Sequence, residues 1–90
     1  MDTVVDPVEL NRLRWRCKRG LLENDLFIER FFREHGDALT QRRVAGLAAL
    51  MELSDNELLD LFLARRDPEG ALDNPEVQEV LALMRRPALP

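Results

Sequence analysis

Four helix-start signatures divide this 90-residue chain into segments and constrain its fold more than any other feature. They are Asp6-Pro7, Thr40, Ser54 with Glu57, and Asn74-Pro75. Each places a side chain that can accept a hydrogen bond before the first turn of a helix, and proline in that turn is favoured because its missing N–H is not needed there. Since no segment shows the alternation of a strand, the sequence predicts an all-α protein.

Apolar residues recur at helical spacing after each signature and also between Leu22 and Phe32, which together predict a compact five-helix bundle. We expect helices from about Pro7 to Lys18, from Leu22 to His35 with Gly36 ending it, from Thr40 to about Leu53, from Ser54 through Leu63, and from Asn74 through Met84. The predicted core comprises Leu10, Leu13, Cys17, Leu22, Leu26, Phe27, Ile28, Phe31, Phe32, Val44, Leu47, Ala48, Leu50, Met51, Leu58, Leu59, Phe62, Leu63, Val77, Val80, Leu81 and Met84.

The length predicts one domain over residues 1–90 with a modest core, its last residues 86–90 forming a frayed tail because of two prolines. One cysteine and one histidine do not make a zinc site, so no metal is expected. No apolar stretch approaches the roughly 20 residues that span a bilayer, and the amino terminus lacks the features of a signal peptide. We therefore expect a cytoplasmic protein without membrane insertion.

Positive charge is concentrated in the first half of the chain. Residues 1–45 hold nine Lys or Arg against eight Asp or Glu, and residues 46–90 hold four against nine, so charges of +1 and −5 give the net −4. Five of the cations are Arg12, Arg14, Arg16, Lys18 and Arg19. This run is either a solvated helix face or the surface of a small nucleic-acid-binding or antitoxin-like regulatory module, although the acidic remainder would repel a long polyanion.

Arg19 and Glu23 lie four residues apart, with Gly20 directly after the arginine. On one continuous helix they would form a surface ion pair worth only a few tenths of a kcal/mol. A glycine there weakens a helix by roughly 1 kcal/mol relative to alanine, so stabilising a helix does not explain the pair. The glycine favours a bend at which both charges face a partner.

The remaining candidates do not indicate catalysis. Trp15 lies beside the apolar stripe of the first helix, which fits equally a core position and an exposed binding anchor. His35 is more simply a favourable charge at a helix C-terminus, and Cys17 a small buried hydrophobe. Since no nucleophile with a base, carboxylate pair, metal set or phosphate loop has a recognisable spacing, we expect a binding module and not an enzyme.

The pattern Trp15-x-Cys17-Lys18-Arg19-Gly20-x-x-Glu23-x-Asp25, followed by Phe31-Phe32, resembles the small FAD assembly factors called SdhE in bacteria. The resemblance extends over nearly the whole chain and includes the leucine- and aspartate-rich segment 50–59. It implies a five-helix assembly chaperone that promotes covalent attachment of FAD to the flavoprotein subunit of succinate dehydrogenase, and in some bacteria of fumarate reductase. Such a protein holds no cofactor stably and acts on the FAD of its partner.

The same resemblance implies which residues bind the partner. Arg19, Gly20 and Glu23 correspond to the family motif that engages the flavoprotein near its FAD site, and Lys18 and Asp25 flank it. Trp15 and Arg16 complete the expected partner-binding set, with no nucleic acid involved. One departure is Leu61, followed by Phe62, where the family often has a tryptophan, so the packing of the fourth helix is expected to differ.

Overall fold

The computed structural model describes residues 3–18 and 20–85, and within these ranges the chain forms five α-helices. The helices are α1 (Pro7–Arg16), α2 (Leu22–His35), α3 (Gln41–Met51), α4 (Asp55–Phe62) and α5 (Pro75–Arg85). Short 3-10 turns occupy Gly36–Ala38 and Gly70–Leu72. The predicted all-α, five-helix architecture is confirmed, while the expected tail at residues 86–90 lies outside the described residues.

All four predicted N-caps form, which explains why the predicted starts of these four helices are accurate. The bonds run from Glu9 N to Asp6 Oδ1 (2.9 Å), from Arg43 N to Thr40 Oγ1 (3.3 Å), from Glu57 N to Ser54 Oγ (3.3 Å) and from Val77 N to Asn74 Oδ1 (2.9 Å). Each satisfies a backbone N–H that the helix itself leaves without a partner.

Helix ends differ more from expectation than helix starts. α1 ends at Arg16, so Gly20 lies in the connection to α2 and does not itself end the helix. α2 ends at His35 as predicted, but Gly36 keeps a right-handed φ of −59° and begins the following 3-10 turn. α3 ends at Met51, two residues earlier than expected. End residues are the least determined by sequence because the last turn frays or tightens.

The closest packing joins α3 to α5 through Gly46. A Cβ atom on Gly46 would lie 2.3 Å from the Glu76 carbonyl oxygen and 3.1 Å from Val80 Cγ2, so only glycine allows the two helices to approach this far. An ion pair between Arg43 Nε and Glu79 Oε2 at 3.0 Å lies at the same interface. These contacts set the separation of α3 and α5.

The chain before α1 is tied to the junction of α2 and α3. Val5 N donates to the Leu39 carbonyl oxygen at 2.8 Å, and Gln41 N donates to the Thr3 carbonyl oxygen at 2.8 Å. Val4 and Thr40 form an isolated antiparallel bridge, and Val5 is buried beneath it. This pairing places the start of α1 beside the start of α3.

Most of the predicted core is buried, including Cys17, Phe31, Leu47, Leu58 and all four predicted residues of α5. Leu61, the departure noted in the sequence, is also buried, with 3% of its surface exposed. The predicted core was wrong at Leu22, Leu26, Ala48 and Leu63, which are exposed.

The error on α2 has a geometric cause. At about 100° per residue, Leu22 and Leu26 lie roughly 150° or more from the middle of the buried face formed by Ile28 and Phe31. The apolar arc is therefore wider than the surface that the other helices cover, and these two leucines remain outside.

Candidate functional site

The connection between α1 and α2, with the adjoining turns of both helices, contains the predicted partner-binding residues and is called the corner below. The structure places Trp15, Arg16, Lys18, Gly20, Glu23 and Asp25 in this corner, and Arg19 lies outside the described residues. Apart from Asp25, which is half-buried, all the described members are exposed. The arrangement is therefore a surface rather than an enclosed pocket.

Gly20 adopts a left-handed backbone with φ +85°. Side chains other than glycine are strained in this region, with asparagine and aspartate the least affected. No heavy atom lies within 4 Å of the position that a Cβ would take, so the free protein has space for a larger side chain. Within this protein alone, glycine is explained by backbone conformation and not by crowding.

Asp25 orders the corner through the backbone of Gly20. Gly20 N donates to Asp25 Oδ2 at 3.2 Å, which links the connection to the first turn of α2. Leu21, at the N-cap position of α2, offers no side-chain capping bond. Glu23 and Asp25 place negative charge at the positive end of the helix dipole, which stabilises the first turn.

Trp15 is on the surface, which excludes the core position, one of the two alternatives left by the sequence. It is 67% exposed, and the Lys18 ammonium lies 4.5 Å from the centroid of its ring in a cation–π contact. Trp15 and Lys18 line one side of a groove of ≈ 260 Å³ between α1 and α2, with Asp25 and Glu29 on the other. An exposed aromatic side chain in a groove lined by charges of both signs has the chemistry of an interface anchor.

Among the described residues, the cations of the basic run lie on two faces of α1. Arg14 lies over the Phe32 ring at 5.8 Å and faces α2, whereas Arg12 and Arg16 line a groove beside Val44 of α3. Cations divided between two faces of a helix give less local potential for a phosphate backbone than a single stripe. The geometry gives no support to the nucleic-acid or antitoxin-like alternative.

The two candidates that the sequence assigned to structural roles take structural positions. Cys17 is 1% exposed within the core, so its thiol is not presented at the corner. His35 is the last residue of α2, with Nε2 3.9 Å from Glu34 Oε2.

In the described part of the chain, no three His, Cys, Asp or Glu side chains come together as metal ligands. No helix formed by the described residues has the length and apolarity that crossing a bilayer requires.

Sequence reasoning missed Asn24, between the two acidic residues of the corner. Its side chain is fully buried, and Nδ2 donates to the Asp55 carbonyl oxygen at 3.1 Å, which joins the first turn of α2 to the first turn of α4. The helical spacing carried a signal, because Asn24 falls on the same face as Ile28 and Phe31. A polar residue at that position was not assigned to the core.

Three known proteins that this chain is similar to belong to one family. Residues 11–88 match the model of a family described as the flavinator of succinate dehydrogenase. The chain is 55% identical to the FAD assembly factor SdhE of Ralstonia nicotianae over 80 residues, covering 89% of this chain and 84% of that protein. It is 40% identical to the SdhE of Vibrio parahaemolyticus, covering 84% and 88%, and 33% identical to that of Coxiella burnetii, covering 73% and 80%. No solved structure matches the chain.

Proposed function

The chain belongs to the family of FAD assembly factors described as flavinators of succinate dehydrogenase, and on this basis we propose that it binds the succinate dehydrogenase flavoprotein subunit and promotes covalent attachment of FAD. We rest the proposal on the match over residues 11–88, which includes the whole corner. The exposure of Trp15, Gly20 and Glu23 supports the corner as the surface that meets the partner.

In this proposal the chain acts by positioning its partner. The corner offers side chains of both signs, an exposed tryptophan and an accessible stretch of backbone, and the Gly20–Asp25 hydrogen bond links that backbone to the first turn of α2. These groups bind and orient a polypeptide, and the flavoprotein supplies the residue that becomes linked to FAD. Holding a mobile partner in its reactive conformation accelerates its own chemistry without a catalytic group from the chaperone. The protein is thus a chaperone, not an enzyme, and holds no FAD of its own.

Arg19, Gly20 and Glu23 act as one unit in this scheme, with Lys18, Asp25, Trp15 and Arg16 as surrounding contacts. The test is reconstitution of flavinylation from purified flavoprotein subunit lacking FAD, free FAD and this protein, read as flavin fluorescence in a denaturing gel. Glu23→Ala is expected to abolish the stimulation. Glu69→Ala, which removes an exposed glutamate between α4 and α5, is the matched control and should leave it unchanged.

Circular dichroism of each variant separates a binding defect from a folding defect. Gly20→Arg should lose activity while keeping the helical spectrum, because the position has space for a side chain and its backbone strain of about 1–2 kcal/mol falls in the connection outside both helices. Equal flavin fluorescence with and without the wild-type protein would refute the proposed function. A parallel loss of helicity and activity in Glu23→Ala would make the corner a structural element instead.

Gly20 has two possible reasons to be glycine, and a pair of variants separates them. Gly20→Ala introduces backbone strain of about 1–2 kcal/mol, whereas asparagine tolerates a left-handed φ. We propose that the partner backbone also approaches Gly20 closely, so Gly20→Asn should fold like wild type and still lose activity. Full activity of Gly20→Asn would show that the glycine serves the backbone conformation alone.

Two further experiments test whether the chain serves a second flavoprotein and where in the cell it acts. Replacing the succinate dehydrogenase subunit by the flavoprotein subunit of fumarate reductase tests whether the chain serves both. We place the activity in the cytoplasm, where the flavoprotein subunit would meet the factor before it joins its membrane-bound complex. Deletion of the gene should then leave the flavoprotein subunit without covalently bound flavin in the cytoplasmic fraction.

A further inference from the structure

An apolar groove between α2 and α4 lies next to the corner. Its floor is formed by Leu26 and Phe27 of α2 together with Leu59 of α4 and the adjoining Leu63, and its volume is ≈ 420 Å³. Leu26 is 62% exposed and Leu63 is 43% exposed. Leu22, one turn before Leu26 on α2, is 68% exposed and extends the apolar surface.

These leucines are unusual for a chain in which one residue in three is charged. Single exposed apolar residues need no explanation, but several that line one groove mark an interaction site. Both helices are fully formed, α2 over Leu22–His35 and α4 over Asp55–Phe62, so the exposure is not the result of an unformed element. The groove needs an occupant from outside the described bundle.

The groove is continuous with the corner through Glu23. This residue belongs to the family motif and also lines one end of the groove. A polypeptide that contacts Glu23 from the motif side is therefore already at the entrance to the groove. The corner and the groove form one surface along α2.

The other end of the groove is positively charged, because Arg30 and Arg33 lie there. The Arg30 guanidinium donates to the Met84 carbonyl oxygen and lies 5.4 Å from the Phe27 ring centroid, but has no carboxylate partner among the described residues. Arg33 also has no carboxylate partner within that part of the chain. By contrast, Arg43, Arg65 and Arg85 each pair with a carboxylate. The matching ligand has apolar side chains for the floor and a carboxylate for the arginines.

We propose that this groove binds an amphipathic segment of the flavoprotein subunit, whose apolar side chains enter between α2 and α4 and whose acidic side chain meets Arg33. The inference rests on the proposed function and adds a second contact surface to the corner. Amphipathic segments that dock in grooves bind through a few anchor residues at helical spacing, and ≈ 420 Å³ suits such anchors and not a whole domain.

The test measures the affinity of purified flavoprotein subunit, with and without FAD, for variants of the groove. Leu26→Ala and Leu63→Ala should each weaken binding by about tenfold, which corresponds to about 1.4 kcal/mol, because each removes an anchor that the partner would bury. Val8→Ala, at a valine of α1 that is 64% exposed, is the matched control and should bind like wild type. Arg33→Glu should weaken binding and reduce its salt dependence. Arg66→Glu, on the loop after α4, is the charge-matched control and should change both the affinity and its salt dependence less.

The outcomes separate the groove from the proposed function. If Glu23→Ala abolishes binding while Leu26→Ala and Leu63→Ala bind like Val8→Ala, the groove proposal is wrong and the proposed function stands. If the wild-type protein binds neither form of the flavoprotein subunit, both are wrong. If the leucine variants instead convert a dimer of the free protein to a monomer without changing flavoprotein affinity, the groove joins two copies of this chain and the proposal is overturned.

Discussion

Gly46→Ala is expected to destabilise the protein, although alanine is the better helix former. The added Cβ would lie 2.3 Å from the Glu76 carbonyl oxygen and 2.7 Å from the Glu76 carbonyl carbon, both in the backbone of α5. A backbone atom has no rotamer by which to move aside, so α3 and α5 must separate by about 1 Å. Overpacking of this kind costs about 1–3 kcal/mol.

Helix propensity offsets part of that cost, by about 1 kcal/mol. Since the clash involves backbone, we take the upper part of the range and expect a net loss of about 2 kcal/mol in the free energy of unfolding. For a domain of this size, 1 kcal/mol shifts Tm by about 4–8 °C, so Tm should fall by roughly 10 °C. The measurement is thermal and urea unfolding followed by circular dichroism at 222 nm.

Gly36→Ala provides the matched control. A Cβ at Gly36 would lie 3.8 Å from Leu10 Cδ2, an ordinary contact, and its φ of −59° suits alanine. We expect Gly36→Ala to be neutral or slightly stabilising. Equal stability of Gly46→Ala and Gly36→Ala would refute the idea that glycine sets the separation of α3 and α5.

Three further variants test separate features of the structure. Ala64 has φ +59° and follows Leu63, the C-cap of α4, with Ala64 N donating to Leu61 O and Arg65 N to Asp60 O. Ala64→Gly should therefore raise the free energy of unfolding by about 0.5–1 kcal/mol, and no gain in Tm would contradict this account of the helix end. Thr40→Ala removes the cap of α3 and should cost about 1 kcal/mol in urea unfolding, whereas a Tm equal to wild type would mean that the cap contributes nothing. Trp15→Ala should leave Tm within about 4 °C of wild type, because the side chain is largely exposed, and should lower flavinylation; unchanged flavinylation would exclude Trp15 as an anchor.

The sequence predicted the helices well where local chemistry determines them. Asp6, Thr40, Ser54 and Asn74 each bind an N–H only three residues away, so the information needed to place a helix start is local. The buried face of α5 was also predicted in full, because its apolar residues follow a single helical stripe.

Burial on α2 was harder to predict because it depends on distant parts of the chain. Leu22 and Leu26 have the same local pattern as Ile28, and only the positions of α4 and α5 decide which of them is covered. The burial of Asn24 likewise depends on a carbonyl group 31 residues away. Periodicity identifies an apolar arc but not the width of the surface that packs against it.

The corner was located from sequence, but its internal order was not. Gly20 indicated a bend between two helices, and the structure has one there, with a left-handed φ. The hydrogen bond from Gly20 to Asp25 could not be anticipated, because it depends on how the left-handed backbone of Gly20 is placed against the first turn of α2. The exposure of Trp15 was undecided for the same reason, since α1 can turn either face towards α2.

The shallow packing of α1 has a consequence for its motion in the native state. Of the ten residues of α1, only Leu13 is buried, whereas α5 buries Val77, Val80, Leu81 and Met84. Segments with few buried contacts open at lower free energy than the core, so the amide hydrogens of α1 should exchange with solvent well before those of α5. The helix that carries Trp15 can then adjust its orientation against a partner while α3 and α5 remain folded together.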